Sequence, residues 1–278
     1  MKKSLTESVN PNSRDIDLKS IPEILNIINN EDMLVPLAVQ KAIPEITRAV
    51  EAVVKSLESG GRLIYYGAGT SGRIGVVDAA ECAPTYTISQ EKVFAVIAGG
   101  YGAMVKAHET AEDEFDTGIQ SIIENNVSEL DTIIGLSASG NTPFVTGALQ
   151  EAKKRGASTV GIISNAEGTV LDNADIKITL LTGPEVITGS TRMKAATAQK
   201  LTVNMISTTS MIKLGRVTGN FMTAMRPSND KLRKRARFIV SSICNITEEA
   251  AGKVLEAHNY NIRECVNTCR EQAQKSQQ

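Results

Sequence analysis

The chain has 278 residues, 41% of them hydrophobic, which is enough for a substantial core. Its 30 basic and 31 acidic residues leave a net charge of -1, which argues against nucleic acid or a membrane surface as the main partner. Tryptophan is absent and aromatics make up 4%, so base stacking is disfavoured, and no apolar run approaches the roughly 20 residues of a membrane span.

The N-terminus, MKKSLTESVNPNSRD, has two lysines with no apolar segment behind them, so it does not read as a signal peptide. Residues 1 to about 18 are polar and read as an extended arm with little helix. Ser20-Ile-Pro-Glu23 forms a capping box with proline in the first turn and opens a short helix through Ile28. A longer helical stretch follows Asn30. Ile46, Val50, Val53, Val54 and Leu57 share one face of it, Pro36 and Pro44 break or kink its first part, and Gly60-Gly61 end it.

From Arg62 the texture changes to strand, turn, helix, repeated. Strands are expected at 62–66, 93–98, 132–137, 159–164 and 175–180. Between them lie an acidic-starting segment at 109–125 and an apolar stripe of Phe144, Val145, Ala148, Leu149 and Ala152. Continuous apolar strands alternating with helices indicate a parallel sheet covered on both faces. A helix dense in Thr, Ala and Met runs from about Ser190 to Leu214, of a composition that packs closely against another element. A turn-rich linker at 220–230 leads to three helical patterns, at 231–244, 247–258 and 261–274. The basic run LRKRAR at 232–237 reads as a solvated helix face. Cys82, Cys244, Cys265 and Cys269 lack CxxC spacing, so reduced thiols in a cytoplasmic protein are expected.

Four stretches carry chemistry. In LIYYGAGTSGRIGVVDAAECAPT (63–85) a strand breaks into a Gly/Ser/Thr loop and restarts as a helix, which suits an anion. Taken as GxGxxG the loop resembles a dinucleotide fingerprint, but the second strand ends AVIAGG, with no carboxylate to hold a ribose. Thr70 and Ser71 supply hydroxyls instead, which suit a phosphate or sugar oxygens. The second loop, Ser137-Ala-Ser-Gly-Asn-Thr142, also joins a strand to a helix and offers Ser137, Ser139 and Thr142 as a phosphate cradle that needs no lysine. Glu81 is read at the C-terminal end of its helix, where the dipole raises a carboxylate's pKa and suits a general acid. Glu112 lies in an acidic cluster with Glu109, Asp113 and Glu114, a setting that favours a base with a raised pKa. In GPEVITGSTRMK (183–194), Glu185 is a candidate for sugar hydroxyls, Ser190 and Thr191 are caps or ligands, and Arg192 and Lys194 are candidate anion partners. No His, Cys or Asp spacing suggests a metal site, and no GxSxG elbow suggests a hydrolase.

Together these stretches, with NPNSRDID and NDKLRKRA, resemble the N-acetylmuramic acid 6-phosphate etherases, members of the sugar isomerase (SIS) domain proteins, over nearly the whole chain. The resemblance implies an α/β fold: an SIS-type three-layer αβα sandwich with a five-stranded parallel sheet, N-terminal helices and a small C-terminal helical domain. The expected division is an N-terminal arm and helices at 1–53, the sugar-phosphate-binding domain at 54–219 and the helical domain at 220–278. It implies a homodimer, no metal or nucleotide cofactor, and cleavage of the D-lactyl ether by water. The family's two functional glutamates map onto Glu81, as proton donor to lactate and activator of water, and onto Glu112, as base. The phosphate is expected on Ser137, Ser139 and Thr142, with Thr70 and Ser71 nearby. Two other function classes share the loops. One is a sugar-phosphate sensor without turnover, and the other an aldose–ketose isomerase, which also abstracts a proton from carbon 2.

Overall fold

A computed structural model describes residues 4–275. The helices and strands run, in chain order, α1 (Ile21–Asp32), α2 (Val35–Lys41), α3 (Ile43–Glu58), β1 (Leu63–Gly67), α4 (Gly69–Tyr86), β2 (Val93–Ile97), α5 (Phe115–Glu124), β3 (Thr132–Ser137), α6 (Pro143–Lys154), β4 (Ser158–Ile163), α7 (Thr169–Asp172), β5 (Ile176–Thr179), α8 (Lys194–Lys213), α9 (Asp230–Cys244), α10 (Glu248–Ala257) and α11 (Ile262–Lys275). One compact unit comprises the chain up to Ala80 together with Gln90–Ser210, and a second comprises Glu81–Ser89 with the chain from Met211 onward.

In the first unit the five strands pair in parallel in the order β2-β1-β3-β4-β5. This is the parallel sheet expected from the apolar strands, with the five strands that the resemblance implies. Burial on both faces explains their unbroken hydrophobicity: every residue of β1 and β3 is buried. Ile64, Tyr66, Ile133 and Ile163 pack with Ile122 of α5 and with Phe144, Val145 and Ala148 of α6. The opposite face meets α3, where the Ser56 and Thr132 hydroxyls lie 2.8 Å apart, and α4, where Gly75 faces Tyr65. Close approach fixes some glycines. A Cβ on Gly118 would stand 2.0 Å from the Phe144 carbonyl oxygen, so α5 can sit on α6 only with glycine there.

The N-terminal region differs from expectation. The arm is wound into three short 3-10 turns, Leu5–Glu7, Pro11–Ser13 and Ile16–Leu18. Its polar side chains hold it down: Asn10 donates to the Pro184 carbonyl (3.1 Å) and Ser13 to the Val186 carbonyl (2.7 Å). The capping box forms as read, with the Ser20 N–H donating to Glu23 at 2.8 Å, but α1 runs past Ile28 to Asp32. Pro36 and Pro44 break the stretch, as read, into α2 and α3 without kinking either. Each sits in the first turn of a new helix, where no N–H is needed.

The second unit is a three-helix cluster. Its core is Met225, Ala236, Ile239, Val240, Ala251, Leu255, Ile262 and Val266. Asn229 caps α9 and Thr247 caps α10, at 2.9 and 3.2 Å. Arg233, Lys234 and Arg235 of the basic run are exposed, as a solvated face requires. The expectation of reduced thiols is overturned for one pair. Cys244 at the end of α9 and Cys269 on α11 are joined as a disulfide, with Cα atoms 5.8 Å apart. A separation of 25 residues hides such a pair in the sequence. Cys82 and Cys265 are buried and stay outside any disulfide.

Candidate active site

The glycine-rich loop between β1 and α4 is tight because two backbones touch. A Cβ on Gly67 would lie 2.7 Å from the Gly72 nitrogen, and one on Gly72 would lie 2.7 Å from the Gly67 oxygen. Thr70 and Ser71 therefore stand in the first turn of α4, whose leading N–H groups have no helical acceptor. Ser71 is buried and Thr70 half-buried, and neither hydroxyl has a hydrogen-bond partner among the described residues.

The second loop closes on itself. The Ser137 hydroxyl lies 2.7 Å from that of Thr142 and 3.4 Å from that of Ser139, and it accepts from the Gly140 N–H at 2.9 Å. Thr142 precedes α6, whose first residue is Pro143, so the cluster sits at a helix N-terminus after the carboxyl end of β3. All three hydroxyls expected to share a ligand are brought together. Asn165, not singled out by the sequence, holds the loop: it donates to the Ser139 carbonyl at 2.7 Å and accepts from the Leu5 N–H at 2.8 Å. Beside this loop opens a cavity of about 790 Å³ lined by Leu5, Asn141, Asn165 and Thr169.

Glu81 is exposed on α4. The helix does not end there; it continues through Pro84 to Tyr86. The end-of-helix dipole reasoning therefore does not apply to this carboxylate. Pro84 instead withholds the donor that the Ala80 carbonyl would receive. Glu112 lies in a 3-10 turn, Glu109–Asp113. Its side chain reaches the surface, yet partial desolvation, then the charges of Asp113 and Glu109, push its pKa up.

Two residues of the 183–194 stretch, Glu185 and Lys194, do other work. Glu185 is 1% exposed, and its two oxygens accept from the Lys194 and Ala195 N–H groups, each at 2.9 Å. It caps α8 from nine residues upstream, with one backbone N–H on each oxygen. Ser190 and Thr191 are half-buried in the loop before α8, where the Thr191 carbonyl accepts from the Ala196 N–H at 3.1 Å and neither hydroxyl bonds to the helix among the described residues. Lys194, read as an anion partner, is buried against Glu31 at 2.5 Å.

Two further supports were invisible in the sequence. Arg73 donates to the carbonyls of Ala103 (2.7 Å) and Met104 (3.1 Å), fixing the chain after β2 on its way to Glu112. Asp78 on α4 is buried and accepts from Tyr65 of β1 (2.8 Å) and Ser207 of α8 (3.1 Å). Burial raises its pKa to about 6, with the two hydroxyls opposing.

Residues 45–153 match the glucokinase regulatory protein N-terminal SIS domain, and residues 115–212 match the SIS domain. The chain is 50% identical over 259 residues to an N-acetylmuramic acid 6-phosphate etherase of Caldanaerobacter subterraneus subsp. tengcongensis, covering 93% of this chain and 85% of that protein. It is 50% identical over 254 residues to the protein of the same name in Clostridium acetobutylicum, covering 91% and 84%. A phosphoheptose isomerase structure from Neisseria gonorrhoeae superposes with a TM-score of 0.51 at 17% identity, over 69% of this chain and 98% of that one, which bears on the fold alone.

Proposed function

The chain belongs to the N-acetylmuramic acid 6-phosphate etherases, and from that premise we propose how its residues divide the chemistry. The enzyme is a carbon–oxygen lyase of cell-wall amino-sugar catabolism. It cleaves the D-lactyl ether of N-acetylmuramic acid 6-phosphate with water, giving N-acetylglucosamine 6-phosphate and D-lactate. An ether oxygen leaves poorly, but in the ring-opened sugar the aldehyde acidifies the proton on carbon 2. Glu112 takes that proton and Glu81 protonates the lactyl oxygen on carbon 3, so the carbon–oxygen bond breaks and an unsaturated aldehyde forms. Glu81, now ionised, takes a proton from water as the oxygen adds to carbon 3, and the proton returns to carbon 2.

The observation that carries the phosphate assignment is the closed hydroxyl cluster of Ser137, Ser139 and Thr142 ahead of α6. It offers donors and a helix N-terminus to a phosphate in the absence of any lysine. Thr70 and Ser71, with unspent hydroxyls, hold the sugar end or assist the phosphate.

The test is release of D-lactate from the 6-phosphorylated substrate. A ketose phosphate in its place would put the chain among the isomerases, and tight binding without turnover would make it a sensor. The pH profile tests the base. Because the pKa of Glu112 is raised, its ionised form is lost while pH is still above the ordinary glutamate range, so kcat/KM falls on the acid side earlier than for an isolated glutamate. Glu109→Gln with Asp113→Asn removes two of the charges that raise it and should move the acid limb to lower pH. An unmoved limb removes Glu112 from the role of base.

We also propose a homodimer in the cytoplasm, where sugar phosphates are retained. Ile21, Leu25, Met33 and Leu37 of the α1–α2 region are 74, 61, 58 and 55% exposed, and Leu201 and Met205 lie exposed one turn apart on α8. Light scattering should report twice the chain mass of 29.8 kDa, and Leu25→Glu with Leu37→Glu should halve it. A wild-type monomer at micromolar concentration would count against the dimer.

A further inference from the structure

The C-terminal unit contains a cavity of its own, of about 680 Å³. The segment around Met225–Ser228 forms one wall, and the turn between α10 and α11 forms another. Three arginines line it, Arg216, Arg226 and Arg263, against a single carboxylate, Glu264. Three positive charges less one negative leave an excess of two. Among the described residues none of these four side chains is in an ion pair.

Two of the guanidiniums are held in place by uncharged acceptors. Arg216 donates to the Thr87 carbonyl at 3.3 Å and Arg263 to the Gly215 carbonyl. Both bonds fix the group without neutralising it. Arg226 is exposed and has no hydrogen-bond partner among the described residues. The opposite wall is built at a cost. Asn259 and Tyr260 are consecutive residues with φ of +49° and +58°, a left-handed conformation that costs free energy in residues other than glycine. That turn brings Asn261 and the first turn of α11 to the cavity, with the Asn261 side chain accepting from the Glu264 N–H at 3.3 Å.

Every lysine-free feature of this wall favours one ligand chemistry. Guanidinium forks match the oxygens of a phosphoryl group in pairs. An excess of two charges matches a phosphomonoester dianion. The volume falls within the range that encloses a small metabolite, roughly 300–1,000 Å³. We propose that this cavity binds a phosphomonoester the size of a sugar phosphate, gripped by Arg216, Arg226 and Arg263. The site is separate in its residues from the Ser137–Thr142 loop and does not depend on the reading of that loop.

Calorimetric titration of the full chain with N-acetylglucosamine 6-phosphate tests it. The wild type should take up a second equivalent per chain. Arg226→Glu should weaken that equivalent by about tenfold or more while leaving the other equivalent and D-lactate release unchanged. Arg226 is exposed, so the variant folds; Arg263→Ala gives the same loss from the opposite wall. Ser137→Ala should remove only the other equivalent, so failure of the loop assignment leaves this result readable. A single equivalent in the wild type, or a second one indifferent to Arg226→Glu, overturns the proposal. Displacement of the second equivalent by malonate with no binding of inorganic phosphate would overturn the phosphate assignment.

Discussion

Glu81→Ala should abolish D-lactate release to within the limits of the assay, a loss of about 10²–10⁴-fold in kcat, while binding of N-acetylglucosamine 6-phosphate survives. The expectation follows from the leaving group. Lactate must depart as an alcohol, and without a donor it would leave as an alkoxide. The fold should tolerate the change, because Glu81 is exposed and makes no ion pair among the described residues. The split between acid and base can be read in heavy water. Glu81→Ala should still exchange the proton on carbon 2, because Glu112 performs that step alone. Glu112→Gln should stop both exchange and lactate release. If Glu81→Ala keeps activity within about tenfold of wild type, or if it loses exchange as well, Glu81 is not the proton donor.

The parallel sheet and the hydroxyl loop were legible in the sequence for physical reasons. Strands buried on both faces must be continuously apolar, so Leu63–Gly67 and Thr132–Ser137 stand out from the helices between them. The Ser137–Thr142 cluster was legible because its members lie within six residues of one another, and local spacing alone brings them together. The place of Glu81 in its helix was misjudged, because the chain stays helical to Tyr86. Proline is penalised in a helix interior, yet Pro84 lies inside α4, so the last turn of the helix runs against local preference. The supports were illegible because they join distant segments. Asn165 ties Leu5 to Ser139, and Asp78 ties Tyr65 to Ser207. Nothing in the neighbourhood of either residue announces a partner that the topology supplies. The same holds for Glu185. A cap adjacent to its helix is readable as Ser20 was, whereas one that reaches nine residues downstream looks like any loop carboxylate.

Lys194 is the most consequential of these misreadings. A cation in the first turn of a helix is unfavourable to the dipole, which suggested an external anion. Its anion is internal. The side chains of Lys194 and Glu31 are 1% and 6% exposed, and the Lys194 amine donates to Glu31 at 2.5 Å. Glu31 also accepts from Asn12 at 2.8 Å, so the pair links the N-terminal arm, the end of α1 and the start of α8. Burial works against the charged form of Glu31, but hydrogen bonds from Asn12, Lys194 and Asn10 outweigh it and hold the carboxyl below its ordinary value of 4.5. The pair's contribution is therefore complete above about pH 4.5 and is lost as pH falls through the lower folded-state value. Lys194→Met leaves Glu31 buried without its countercharge and should cost about 3–5 kcal/mol at neutral pH. Adding Glu31→Leu should recover most of that loss, because two apolar side chains of similar volume need no solvation. Urea midpoints for the single and double variants decide the matter. A single variant within about 1 kcal/mol of wild type would show that the charge is not stranded, and a double variant as unstable as the single would locate the cost in packing instead.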